Sequence, residues 1–163
     1  MKTRTIKHNK NTKHNKNTKH NIKNNTVKYN KSYNRFSNSI KTKIIEIFLG
    51  ILNSVKIYHW KTYSFSQHKS TDELYSKLNE NMDTFIEILL GKDENRFTIM
   101  NEKIDLYNFK NVKKFKQRIY NYRDFLIYLS KVLDSEKDTD LLSVRDEILG
   151  HINQFLYLMT FNK

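Results

Sequence analysis

The chain contains no cysteine and no proline, and only three of its 163 residues are glycine. The lack of cysteine excludes disulfides, thiolate metal sites and cysteine nucleophiles. The lack of proline lets long helices run uninterrupted, and three glycines are too few for a sheet that depends on Gly/Pro turns. No apolar run approaches the ~18 residues that a membrane span requires. The N-terminus is polar throughout and has no apolar core of the kind a secretory signal carries. These absences predict a helical protein that is neither secreted nor membrane-inserted, placed inside the cell or in a virion. Its length suits one domain with a modest core.

Acidic residues are also missing from one region. Residues 1–45 carry 13 Lys and Arg and no Asp or Glu, whereas residues 46–163 carry 17 basic and 17 acidic residues. The net charge of +13 therefore belongs to an N-terminal arm joined to a charge-balanced domain. The arm, taken as residues 1–37, repeats "KHNKNT" at 7–12 and 13–18 and continues as "KHNIKNN" at 19–25. It has too few apolar groups to offset its ordering entropy and is expected to be disordered. The dispersed Lys7, Lys10, Lys13, Lys16, Lys19, Lys23 and Lys28 would release counterions on meeting phosphates, giving salt-dependent contact with DNA or another polyanion; a solubilising tail of Lys/Asn-rich composition explains the same residues without a partner. Tyr29, Tyr33 and Phe36 can stack on bases or dock on the domain. His8, His14 and His20 recur without a carboxylate beside them and read as solvated.

Residues 38–163 read as an all-α four-helix bundle. Ile44, Phe48, Ile51, Val55 and Tyr58 step by four and three and form the buried stripe of a first helix, with Ser39 as its expected N-cap. A second helix over roughly 65–90 buries Leu74, Leu78, Met82, Phe85 and Leu89, and Gly91 is expected just past its end. Two capping boxes compete for its start, Ser64 with Gln67 and Ser70 with Glu73; Ser64 is preferred because it keeps His68 helical. Phe115, Ile119, Tyr122, Leu126, Leu129 and Leu133 mark the third helix. Leu141, Ile148, Ile152, Phe155 and Met159 mark the fourth, over about 139–161, capped by Asp138 or Thr139. The stretch between the second and third helices is too long for an ordinary loop. A bundle with one long crossover, as in ferritin-like folds, accounts for it. A short helix around Glu102–Leu106 fits within its slack.

The polar face of the second helix carries the chemistry. At 100° per residue, His68, Asp72, Asp83 and Glu87 lie within an arc of roughly 100° that flanks the apolar face. Asp72 and Asp83 are ~16 Å apart along the axis, and metal–ligand bonds are only ~2.0–2.2 Å. One helix cannot bring both ends of this stripe to one ion. Two copies packed antiparallel about a two-fold axis near Lys77–Leu78 can, and symmetry then gives a dimer two such sites. His59, at the end of the first helix, is placed to join His68. Mixed imidazole and carboxylate ligation suits Fe(II) or Zn. A solvated polar helix face explains the same residues without a metal. The Glu-x-x-His motif of intra-bundle di-iron sites is missing, since Lys56, Phe65 and Ile148 stand three residues before His59, His68 and His151. Glu147 and His151 read as solvated.

The stretch "HW" followed by "H…DELY" and "MD…E" resembles the Dps family of mini-ferritins. The resemblance covers about 55–90, continues more weakly into the last helix and does not reach the arm. It implies that His59, His68 and Asp72 of one subunit, with Asp83 and Glu87 of its two-fold partner, are ferroxidase ligands, and that Trp60 is the aromatic beside them. The His59–His68 segment is shorter than in typical members, which tightens the turn between the helices. The Lys/Asn-rich style is also similar to that of ferritin-like proteins of giant DNA viruses. Two expectations follow. The first is a homo-oligomeric iron-oxidising and iron-storing protein whose arm holds DNA. The second is a non-enzymatic DNA-packaging or virion structural protein of the same fold.

Overall fold

The computed structural model describes residues 35–99 and 105–161. Among these residues there are four α-helices, α1 (Asn38–Lys61), α2 (Phe65–Asp93), α3 (Val112–Tyr128) and α4 (Thr139–Leu158), with a 3-10 turn at Leu129–Lys131. Among the described residues there is no strand. Every apolar position read from the periodicity of the four helices is buried, and together these side chains form one core.

Packing contacts link α1 with α2, α2 with α4, α4 with α3, and α3 with α1, so the helices close a ring in the order α1–α2–α4–α3. Their directions follow from contacts at the two ends. Tyr58, near the end of α1, stacks on Phe115, near the start of α3, with ring centroids 3.8 Å apart. At the opposite end, Lys41 near the start of α1 pairs with Asp93 at the end of α2 at 2.9 Å. Lys92 meets Asp140 at the start of α4 there, at 2.7 Å. α1 and α4 therefore run one way and α2 and α3 the other, and the connection from Glu94 to Asn111 travels the length of the bundle. Thr98 still lies at the α1 start, bonded to Asn38, whereas Phe109 has reached Tyr58. Residues 100–104, which include most of the expected Glu102–Leu106 helix, lie outside the described residues; Asp105 and Leu106 are not helical.

The helix ends differ from expectation in detail. Ser37, not Ser39, caps α1 by accepting the Ile40 N–H at 3.3 Å. Ser64 caps α2 through the Gln67 N–H, and His68 is helical as expected. Gly91 lies inside α2, not beyond it, because the helix runs one turn further and Glu94 takes the left-handed conformation with φ 48°. The third helical pattern splits into α3 and a 3-10 turn, yet Leu129 and Leu133 remain buried. Asp138 stands at the α4 N-cap position but makes no side-chain cap bond. Its carboxylate instead takes both terminal nitrogens of Arg35, at 2.6 and 2.5 Å, and the Asp134 N–H at 2.8 Å. Arg35 and the buried Phe36, read from sequence as part of the arm, are thus tied to the bundle. The rest of the arm, with its lysine series, Tyr29 and Tyr33, lies outside the described residues.

The turn before α4 carries a pH dependence. Asp134 accepts the N–H groups of Glu136 and Lys137 at 2.9 and 3.0 Å, and these bonds hold its carboxyl below the ordinary value. A depressed carboxylate contributes stability above its unfolded-state value, near ~3.9, and loses it as pH falls through the folded value. Asp134→Asn is expected to lower the unfolding midpoint slightly at pH 7, where the carboxylate's contribution is lost, and to leave it unchanged well below about pH 4, so that the acid limb flattens. Thermal melts followed by circular dichroism across that range check it.

Candidate metal-ligand cluster on the α1/α2 face

The turn Thr62–Ser64 joins α1 to α2 and is held by side chains. Gln67 Oε1 accepts from Tyr58 Oη at 2.5 Å and from Thr62 Oγ1 at 3.0 Å. The Thr62 N–H continues the α1 pattern to Tyr58 O at 3.0 Å. So short a turn folds the end of α1 directly onto the first turns of α2, which brings His59 to His68.

The two histidines brace one another. His59 Nδ1 lies 3.0 Å from the His68 carbonyl, and His68 Nδ1 lies 3.1 Å from the His59 carbonyl. A carbonyl only accepts, so each Nδ1 carries a proton and donates it. The rings stack with centroids 3.8 Å apart. With Nδ1 donating, Nε2 is the ring atom left to act as a ligand, in the way backbone carbonyls orient metal-binding histidines. Nothing in the local sequence announces this brace, because it needs both helix ends in place.

Asp72, one turn along α2 from His68, brings its Oδ1 to 3.9 Å from His59 Nε2. That separation is too long for a hydrogen bond, and two metal–ligand bonds of ~2.0–2.2 Å would span it only at an angle wider than tetrahedral. His59 is buried at 7% exposure, whereas Asp72 is open to solvent. Lys56 Nζ also approaches Asp72 Oδ1, at 3.9 Å, and lies over the rings of Tyr75 and Trp60 at 4.7 and 5.9 Å. Trp60 is 71% exposed.

The structure stacks His59 on His68 and brings Asp72 towards His59, while Trp60 is linked to this face only through the Lys56 ammonium. It does not bring in Asp83 and Glu87, which are exposed and lie about three and four turns beyond Asp72 on the same helix. Among the described residues, no three His, Asp or Glu side chains of one chain converge well enough to hold a metal ion.

These features define an all-helical four-helix bundle with a braced histidine pair and a carboxylate on one outer face. Residues 59–159 match the model of a family of unknown function, DUF5856, and the chain belongs to that family. It is also similar to the "Uncharacterized 14.6 kDa protein in mobD-ri intergenic region" of Enterobacteria phage T4. The two are 25% identical over 132 residues, which cover 78% of this chain and 97% of the phage protein. No solved structure matches.

Proposed function

We propose that the protein is a ferritin-like, Dps-like iron handler. Pairs of chains would bind Fe(II) as substrate at shared sites, oxidise it and store the product in a closed homo-oligomer. The observation that carries this reading is the reciprocal His59–His68 brace. It fixes both imidazoles by their Nδ1 atoms and leaves the His59 Nε2 3.9 Å from the Asp72 carboxylate. The ring order α1–α2–α4–α3 with one end-to-end crossover supports the ferritin-like assignment.

In this reading, the α1/α2 faces of two chains pack antiparallel. His59, His68 and Asp72 of one chain then meet Asp83 and Glu87 of the other. The carboxylates neutralise the ions and the imidazoles complete the coordination. Two Fe(II) ions give one electron each to a peroxide, which leaves as two hydroxides. The arm lysines hold DNA. Zn, with a similar liking for imidazole and carboxylate, would compete for the same ligands.

Lys56 favours a second reading. Its ammonium already lies beside Asp72, where a metal would sit. A bundle that uses this lysine as the counter-charge would be a non-enzymatic DNA-packaging or virion structural protein. Iron separates the two. Purified full-length protein mixed with Fe(II) and peroxide is expected to develop ferric absorbance well above the buffer rate, and to run as a particle much larger than a monomer. Absorbance at the buffer rate, or a monomeric mass, leaves the structural reading in its place.

A further inference from the structure

The charge balance of the domain conceals a second basic segment. Residues 106–123 contain six Lys and Arg and no acid, between Asp105 and Asp124. Part of this segment lines an open groove of about 370 Å3, where the end of the crossover lies against α3. Tyr107, Lys110, Lys114, Gln117, Arg118 and Asn121 are among its walls.

Arg118 is the centre of the groove's chemistry. Its guanidinium carbon lies 3.8 Å from the Tyr107 ring centroid and 4.7 Å from that of Tyr122. Its Nε–H is donated to Tyr122 Oη at 2.8 Å, and that hydroxyl is anchored to Ser54 at 3.0 Å. Arg35, Arg123 and Arg145 each stand within 4.0 Å of a carboxylate. Arg118 has none, and among the described residues its two terminal nitrogens make no hydrogen bond or ion pair. A guanidinium whose plane is fixed by two rings, and whose fork is left open, is prepared for a planar, bidentate oxyanion. Lys114 stands one helical turn away, ~6 Å along the axis. Gln117 donates to Asn121 Oδ1 at 3.2 Å, which leaves the Asn121 amide as a further donor.

We propose that this α3 groove binds the phosphodiester backbone of a nucleic-acid strand, with Arg118 as a fork on one phosphate and Lys110 and Lys114 on its neighbours. A row of cations with no acid among them suits a polymer that carries one negative charge at every residue. An isolated phosphate would occupy only the Arg118 end. The site is separate from the arm lysines and does not depend on iron chemistry.

The test is fluorescence anisotropy of a labelled oligothymidylate with the full-length chain across a salt series. Lys110→Gln with Lys114→Gln is compared with Lys113→Gln with Lys116→Gln. The second pair makes the same charge change with residues that do not line the groove. The groove pair is expected to lower the slope of log K against log salt by about 1.4, at ~0.7 per phosphate for single strands, and the other pair by much less. Arg118→Lys keeps the charge and is expected to weaken binding several-fold with little change in slope. Circular dichroism must show each variant as helical as the parent. Equal losses from the two pairs, or none from either, assign binding to the arm or to overall charge and overturn the proposal. Competition by polyglutamate as strong as by unlabelled oligothymidylate makes the groove a site for acidic protein, and also overturns it. Substituting Lys7, Lys10 and Lys13 by Gln reads out the arm separately.

Discussion

A chain carrying Asp83→Ala and Glu87→Ala is expected to oxidise Fe(II) no faster than buffer, and so is a chain carrying His68→Ala and Asp72→Ala. An equimolar mixture of the two, unfolded and refolded together, is expected to recover about a quarter of the parent activity. The fraction follows from two-fold symmetry. Each proposed site takes its histidines and first acid from one chain and its later acids from the other. In a mixed dimer, one site receives both defective halves and the other receives both intact halves. Half of the randomly formed dimers are mixed, and half of the sites in those are whole. No arrangement of all five ligands within one chain predicts this recovery, since each variant would then lack ligands in every site. Activity in either variant alone removes the corresponding residues from the site. A mixture that forms mixed oligomers by native mass, yet stays at the buffer rate, ends the shared-site proposal.

The second large effect concerns stability at the opposite end of the bundle. Lys41 and Asp93 are 2% and 0% exposed and meet at 2.9 Å, and Asp93 also accepts the Arg35 N–H at 3.1 Å. Removing one member of a buried pair leaves an uncompensated charge, which costs about 3–5 kcal/mol. Asp93→Ala is therefore expected to lower the melting temperature by roughly 10 °C, at ~2–4 °C per kcal/mol for a chain of this size. Lys41→Met combined with Asp93→Leu is expected to recover most of that loss, because an apolar pair of similar volume needs no desolvation of charge. Urea unfolding of the three chains checks it. A double variant as unstable as Asp93→Ala would mean that the Arg35 N–H, not the ammonium, is what Asp93 is needed for. The pair joins the start of α1 to the end of α2 and, through Arg35 and Asp138, to the start of α4. Its loss should loosen the root of the arm as well as the bundle.

The ligand candidates of the first effect all lie between residues 59 and 87 and could be read from that one stretch, whereas the Lys41–Asp93 pair joins residues 52 apart and could not. Periodicity reports which face of a helix is apolar, since 3.6 residues per turn bring Leu74, Leu78, Met82, Phe85 and Leu89 to one side wherever the helix goes. It was therefore enough for the four helices and their buried faces. The Ser64 cap was legible for a similar reason, because a capping box is a contact over three residues. The end of α2 was misplaced by a turn. Gly91 permits a helix stop but does not require one, and the Asp93 carboxylate makes it worth extending the helix to reach Lys41.

By itself, the sequence determined four helices and their buried faces between residues 38 and 161 and a basic charge excess in residues 1–45, and it placed His59, His68 and Asp72 near the turn that joins the first two helices. It also set a limit, since the rise of a helix keeps Asp83 and Glu87 away from that cluster within one chain. Only the tertiary structure decided that the two histidines brace each other's carbonyls, that Arg35 and Phe36 belong with the fold, and that Arg118 lies open between two tyrosines. Helix periodicity is a property of neighbours along the chain. Hydrogen-bond direction and charge pairing depend on groups separated by 9, 58 and 103 residues, whose meeting is fixed by how the helices pack.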